Sequence, residues 1–221
     1  MKSFSSCIAL VALAATPVIG DDQPQLHPIE AACVQYEMSG QMQNGTSTRC
    51  HRQFAYEQFE IQDVSVGFGG FTQSQNQHNI TIGNVIYAIN LATNTGTKTV
   101  NPFYDQIVNS MQGMDADDVA DAYFQAMGFS PTGASKTVAD IDCNVYQSSM
   151  LGVVCMTEDG LMLEQSFMGN TTIATSVDIG NGGDDANYTL YQDVPITAGP
   201  DLSNMGDLQQ MMQQMQQQPQ Q

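Results

Sequence analysis

Positive charge is what this chain has least of. Five lysines and arginines face 23 aspartates and glutamates, a formal net charge of −18 over 221 residues. A surface of that sign repels phosphate backbones and anionic headgroups, which argues against nucleic acid binding. Tryptophan is absent, and histidine occurs only as His27, His51 and His78. None of these sits in a nucleophile motif, since there is no G-x-S-x-G and no cysteine without a plausible partner. No C-x-x-C exists for zinc or redox work. Gly67-Phe68-Gly69-Gly70 lacks the lysine and the following helix of a phosphate loop. No residue therefore qualifies as catalytic and no cofactor is implied. The expectation is a protein that is not an enzyme.

Long apolar runs are missing as well, except at the start. Met1–Gly20 carries one positive charge (Lys2), then Cys7–Ala15, all apolar, then Pro17-Val18-Ile19-Gly20 with small side chains at Val18 and Gly20. This is the pattern of a secretory signal peptide, with an apolar core too short to span a bilayer. No cysteine follows the cut, so no lipid anchor is expected. The chain is expected to work in the periplasm or as a secreted protein, without a membrane span. Residues 21–28 read as a mobile N-terminal segment and residues 29–200 as one domain, long enough for a real core.

Cys33, Cys50, Cys143 and Cys155 remain after cleavage. An even count in an exported chain reads as two disulfides. Of three possible connectivities, the local pairs Cys33–Cys50 and Cys143–Cys155 are favoured, each joining neighbouring strands.

Residues 29–89 have β texture. Val34, Tyr36 and Met38 alternate with polar neighbours, Thr46–Tyr56 and Phe59–Val66 follow, and Ile80–Ile82 and Val85–Ile89 resume the pattern. Between them Gly67–Phe71 and Gln73–Asn79 read as a flexible turn. At Asn101-Pro102 the texture changes to an N-cap followed by proline. Tyr104, Ile107, Val108 and Met111 then recur at helical spacing. A second helix is predicted from Asp115 to Gly128, with Tyr123 and Met127 on its apolar stripe. Strands are predicted again at Val138–Tyr146, Gly152–Met156, Leu161–Phe167 and Thr172–Ile179, with turns at Glu158–Gly160 and Met168–Asn170. Thr189–Ile196 is a possible last strand. The sum is α+β: a curved antiparallel sheet with a helical hairpin packed on one face.

Three constellations invite chemistry. Arg49, His51 and Arg52 form the one basic cluster, a candidate anion-recognition spot. Asp178–Asp185 is an acidic, glycine-rich turn that could offer oxygens to calcium, although its spacing is not that of an EF-hand. The tail, residues 201–221, is rich in Met and Gln. Its Met205, Met211, Met212 and Met215 could ligate copper, or Leu208, Met211, Met212 and Met215 could form one apolar helix face that docks a partner. Four sequons, at Asn44, Asn79, Asn170 and Asn187, stand against roughly two expected by chance and are weak evidence for glycosylation.

Lys136–Tyr146 followed by Cys155–Glu164 resembles a pattern in the bacterial lipoprotein-carrier superfamily, the LolA/LolB-like fold. That pattern is a strand ending in Cys-x-x-Tyr, a second strand, an Asp-Gly turn and a third strand. The resemblance is to the superfamily's periplasmic members of unknown function, and it implies a half-open barrel, lidded by helices, whose concave face holds an acyl chain or another apolar ligand. The first reading is thus a non-enzymatic binding protein for a hydrophobic, acyl-type ligand. Tyr104, Ile107, Val108, Met111, Tyr123 and Met127 are its expected ligand-binding residues. A cell-envelope interaction module docking through the tail is the second reading, and copper or calcium binding the third.

Overall fold

Two blocks of consecutive hairpins build the molecule. The structure is a computed structural model describing residues 23–68, 71–111, 128–148 and 152–201. The predicted signal peptide, the second predicted helix with Tyr123 and Met127, and the Met/Gln tail lie outside the described residues. The first block runs β1 (Ala32–Gly40), β2 (Gln43–Arg52), β3 (Glu57–Phe68), β4 (Phe71–Ile82), β5 (Val85–Asn90) and β6 (Thr95–Val100). Helix α1 (Tyr104–Met111) follows. The second block is β7 (Ser130–Val138), β8 (Ile141–Ser148), β9 (Gly152–Met156), β10 (Met162–Phe167) and β11 (Asn170–Ile179). A short helix α2 (Asp185–Thr189), a 3₁₀ turn (Leu190–Gln192) and β12 (Ile196–Ala198) complete it.

All described strands join one sheet in the order β12-β6-β5-β4-β3-β2-β1-β11-β10-β9-β8-β7. Pairing is antiparallel except for β12 against β6. Strand β1 fastens the two blocks together, pairing with β2 on one side and β11 on the other. The sheet curls without closing. Four strand spacings separate β11 from β7, about 19 Å in a flat sheet, yet Cα atoms of the two strands come within 8 Å. Bulges bend it there: the register slips at Gln35/Tyr36 between β1 and β11, and at Met162/Glu164 between β9 and β10. The curl encloses Ala32, Val34, Tyr36, Val138, Leu161, Leu163 and Ala174, which form the concave core.

The edges explain themselves. Strand β7 carries Pro131 and is exposed over most of its length, as an outer strand must be when it contains proline. At the other edge, β12 lies parallel to β6, so the chain must cross the sheet to reach it. That crossing is α2 with the 3₁₀ turn, packed on the convex face. Tyr188, Leu190, Tyr191 and Val194 cover Cys50, Phe59, Ile80 and Ile89. Asp184 caps α2 by accepting from the Ala186 N–H at 2.9 Å. Arg52 pins it, lying 3.9 Å from the centre of the Tyr188 ring and paired with Glu57 and Asp185. Gly183 must be glycine: its φ is +83°, and a Cβ would meet Phe59 at 3.0 Å and Cys33 Sγ at 3.1 Å.

Fold class follows the sequence reading, an α+β protein with a curved, mostly antiparallel sheet and a helical pair on one face. The described pair is α2 with the 3₁₀ turn, not the hairpin placed after Asn101. Three element boundaries need correction. Thr189–Ile196 is helical turn and crossing rather than strand, because a parallel edge strand requires a traverse. Gln73–Asn79 is not a flexible turn but the middle of β4, bonded along its length to β3. Ladder pairing there overrides the weak strand preference of Gln and Asn. Val138–Tyr146 is two strands, split at Ala139 and Asp140, whose φ of 49° and 62° make a tight hairpin turn. Asn101 does cap the helical segment, accepting from the Phe103 N–H at 3.0 Å.

Leu163 is fully buried at the centre of the concave core. Leu163→Ala is expected to lower stability by about 3 kcal/mol, through lost burial and the cavity left behind. Denaturant titration measures it, and a loss below about 1 kcal/mol would show that the curl does not close over this residue.

Candidate functional site

Strand alternation decides which side chains reach the concave face. On β2 this places Arg49 and His51 inside, while Cys50 and Arg52 face the convex side. The basic cluster seen in the sequence is therefore split between two faces. Across β2, β3 and β4 the register aligns Arg49, Glu60 and Asn79 in one row, and His51, Gln58 and Thr81 in the next. Val34 and Ala32 extend these rows onto β1. Six polar side chains thus tile three strands beside an apolar strip.

This tiled patch is the floor of an open cavity of about 400 Å³. Its apolar side is Val34, Tyr36, Leu161 and Met162, and His27 and Gly160 complete the rim. Cavities of this size, with a few converging polar groups, are the usual form of a small-molecule site. A second cavity, of about 330 Å³, opens further along the same face between Met42, Val66 and Phe167.

Hydrogen bonds hold the polar groups in place. Glu60 Oε1 accepts from Arg49 Nε at 2.6 Å and from Ser47 Oγ at 2.8 Å. The Arg49 guanidinium lies 5.1 Å from the centre of the Tyr36 ring, a cation–π arrangement. Tyr36 in turn donates its hydroxyl to the Met162 carbonyl at 2.7 Å, tying the floor to the opposite wall. Burial would raise the Glu60 carboxyl, but the Arg49 charge and hydrogen bonds from Gln62, Arg49 and Ser47 bring it below the usual value. Burial pushes the Tyr36 hydroxyl up to about 12.

His27 comes from the N-terminal segment, which is laid against the sheet. Leu26 N–H donates to the Phe54 carbonyl, and Phe54 N–H to that of Glu30, both at 2.9 Å. The receiving turn is strained, with Gln53, Phe54 and Ala55 all at φ between 53° and 65°. The His27 and His51 rings lie 4.6 Å apart. His51 Nε2 donates to the Ile29 carbonyl at 3.1 Å. Burial, and then repulsion by His51, lowers the His27 pKa to about 4, and burial lowers that of His51.

Of the other expected residues, Cys50 and the sequon residue Asn79 also line this cavity. Both local disulfides form: Cys33 and Cys50 face each other in register across β1 and β2, and Cys143 bonds Cys155 across β8 and β9. Tyr104, Ile107, Val108 and Met111 lie on α1, where Tyr104 and Val108 are half-buried and Ile107 is exposed. Tyr104, Ile107 and Val108 line neither concave-face cavity, and the Met111 side chain lies outside the described residues. In the acidic turn Asp178 accepts from Asn181, Asp184 caps α2 and Asp185 pairs with Arg52. Among the described residues no three His, Cys, Asp or Glu side chains group as a metal site. The sequon residue Asn170 is buried and occupied, accepting from the Met42 N–H at 3.0 Å. Sequence reasoning placed none of Tyr36, Glu60, Asn79, Thr81, Leu161 and Met162 at a binding site, and singled out Asn79 only as a sequon. Their signal is an inward row of polar residues on β2–β4 beside an inward row of apolar ones on β1, visible once register is known.

No family model matches this chain, and no curated protein does. Among solved structures, an uncharacterized conserved protein from Thermus thermophilus aligns with a TM-score of 0.48 and 7% identity, over 78% of this chain and 92% of that one. A likeness of that degree carries no argument about function.

The histidines set a pH dependence. Both pKa values lie below the unfolded value near 6.5, so below that pH the unfolded chain takes up protons that the native one does not. Stability is greatest above about 6.5 and is lost as pH falls toward about 4, the His27 value. Glu60 adds its own loss only further down, as pH falls through its lowered pKa. Thermal unfolding across this range should show the decline, and His27→Gln should flatten it in part, since His51 and the buried His78 titrate in the same direction. A melting temperature unchanged from neutral pH down to about 4 would contradict the buried, neutral pair.

Proposed function

We propose that this is an extracytoplasmic, non-enzymatic binding protein whose concave face takes a small amphiphilic ligand with an acyl-type apolar part. The observation that carries the reading is the division of one cavity into an apolar strip (Val34, Tyr36, Leu161, Met162) and a polar floor (Arg49, His51, Asn79, Thr81). Such a site desolvates a hydrocarbon segment while leaving hydrogen-bonding groups for a head. It suits the signal-peptide-like N-terminus, and the resemblance to the lipoprotein-carrier superfamily points the same way. Binding rather than chemistry fits the state of the reactive groups. Tyr36 hydroxyl and His51 Nε2 are committed to main-chain carbonyls, and Cys50 is in a disulfide.

Native mass spectrometry of protein from its own compartment, beside a denaturing run, tests this. A mass excess lost on denaturation, with an acyl-type species in the extract, is expected. A bare chain, lighter only by the hydrogens of its two disulfides, would contradict the reading.

A further inference from the structure

The chain has few cations, and their placement is informative. Arg52 is paired with Glu57 and Asp185, Lys136 with Glu164, and Lys98 lies 5.9 Å from the Tyr87 ring centre. Arg49 is the one arginine or lysine lining the described cavities on the concave face. A guanidinium has five N–H donors. The bond to Glu60 uses the one on Nε, and the described residues give no partner to those on Nη1 and Nη2. Glu60 has its own donors in Ser47 and Arg49 Nε, so the pair is neutral and the other guanidinium nitrogens keep their hydrogens. The Tyr36 ring and the Glu60 bond fix the plane of the guanidinium before any ligand arrives. Asn79 stands in the same row, one strand beyond Glu60, and its side-chain amide is also without a partner among the described residues.

We propose that the ligand's head is a carboxylate, received by the Nη groups of Arg49 with the Asn79 amide, while its chain lies against Val34, Leu161 and Met162. This rests on the reading of the cavity as an amphiphile site and names the ligand class within it. A paired N–H fork matches the two oxygens of a carboxylate, and such charge-assisted bonds are about twice as strong as neutral ones. An uncharged head, an alcohol or an ester, would leave part of the fork unmet. The acidic surface does not forbid an anion here, since charges beyond about 8 Å are largely screened at physiological salt.

Calorimetric titration of the mature chain with dodecanoate and with dodecanol tests it. Dodecanoate should bind at least about tenfold more tightly than dodecanol. Arg49→Gln combined with Glu60→Gln removes the cation without stranding a buried carboxylate, and should bring dodecanoate to the level of dodecanol. If that double variant does not fold, Asn79→Leu should narrow the preference severalfold. Equal binding of acid and alcohol would keep the cavity and overturn the carboxylate. A preference for dodecyl phosphate over dodecanoate would also overturn it. A preference for acid that survives loss of Arg49 would overturn the assigned residue. Binding of neither probe would overturn the amphiphile site itself.

Discussion

Strand β1 is the member on which the rest of the structure depends. Its backbone is hydrogen-bonded on both sides, to β2 in one block of hairpins and to β11 in the other. Within each block consecutive strands pair with one another, but only this pairing joins the two blocks into one sheet. The side chains of β1 serve two faces at once. Ala32, Val34, Tyr36 and Met38 are buried on the inside, and Cys33 bonds Cys50 on the outside. A one-residue slip in β1 would turn its apolar row outward and part the disulfide. The Cys33–Cys50 bond closes a loop 17 residues in span, which restricts the unfolded chain by roughly 3 kcal/mol and opposes that slip.

From β1 outward the two blocks behave differently. On the β11 side the bulges curl the sheet over its own apolar face, giving the concave core. On the β2 side the strands continue past the curl, and their inward face is polar where it meets the apolar strip of β1. The cavity lies at this change of character. Its position follows from where the curl ends, and its chemistry from what alternation places inward on β2, β3 and β4. The convex side of the same strands is closed by α2, held through the stack of Arg52 on Tyr188. The strands that present Arg49 and Glu60 therefore have a packed backing, which suits a site of fixed geometry.

Much of this was legible in the residues, and what was not has a common cause. The alternation of Val34, Tyr36 and Met38, the local disulfides, the cap at Asn101 and the turn at Met168-Gly169 are short-range features, encoded by neighbours in the chain. The middle of β4 is polar and glycine precedes it, so nothing local marks it as a strand, and pairing with β3, and with β5 from Gln77 onward, makes it one. The traverse at Thr189–Ile196 exists because β12 pairs with a strand about a hundred residues away. The cavity was the least legible feature. Arg49 and His51 drew attention as a charge cluster, but Glu60, Asn79, Tyr36 and Met162 join them only through long-range register and the curl. Helical periodicity pointed instead to α1, whose Ile107 is exposed and whose described side chains line neither concave-face cavity.

On the proposed reading the concave face beside β1 receives the ligand. Nuclear magnetic resonance of the labelled protein, titrated with an acyl-chain probe, tests it residue by residue. Shifts should concentrate at Val34, Tyr36, Arg49, Asn79, Leu161 and Met162, with Ile80, Ile89 and Tyr188 on the packed side moving little. Shifts centred on α1 or on the convex face, with the β1–β4 floor unperturbed, would contradict it.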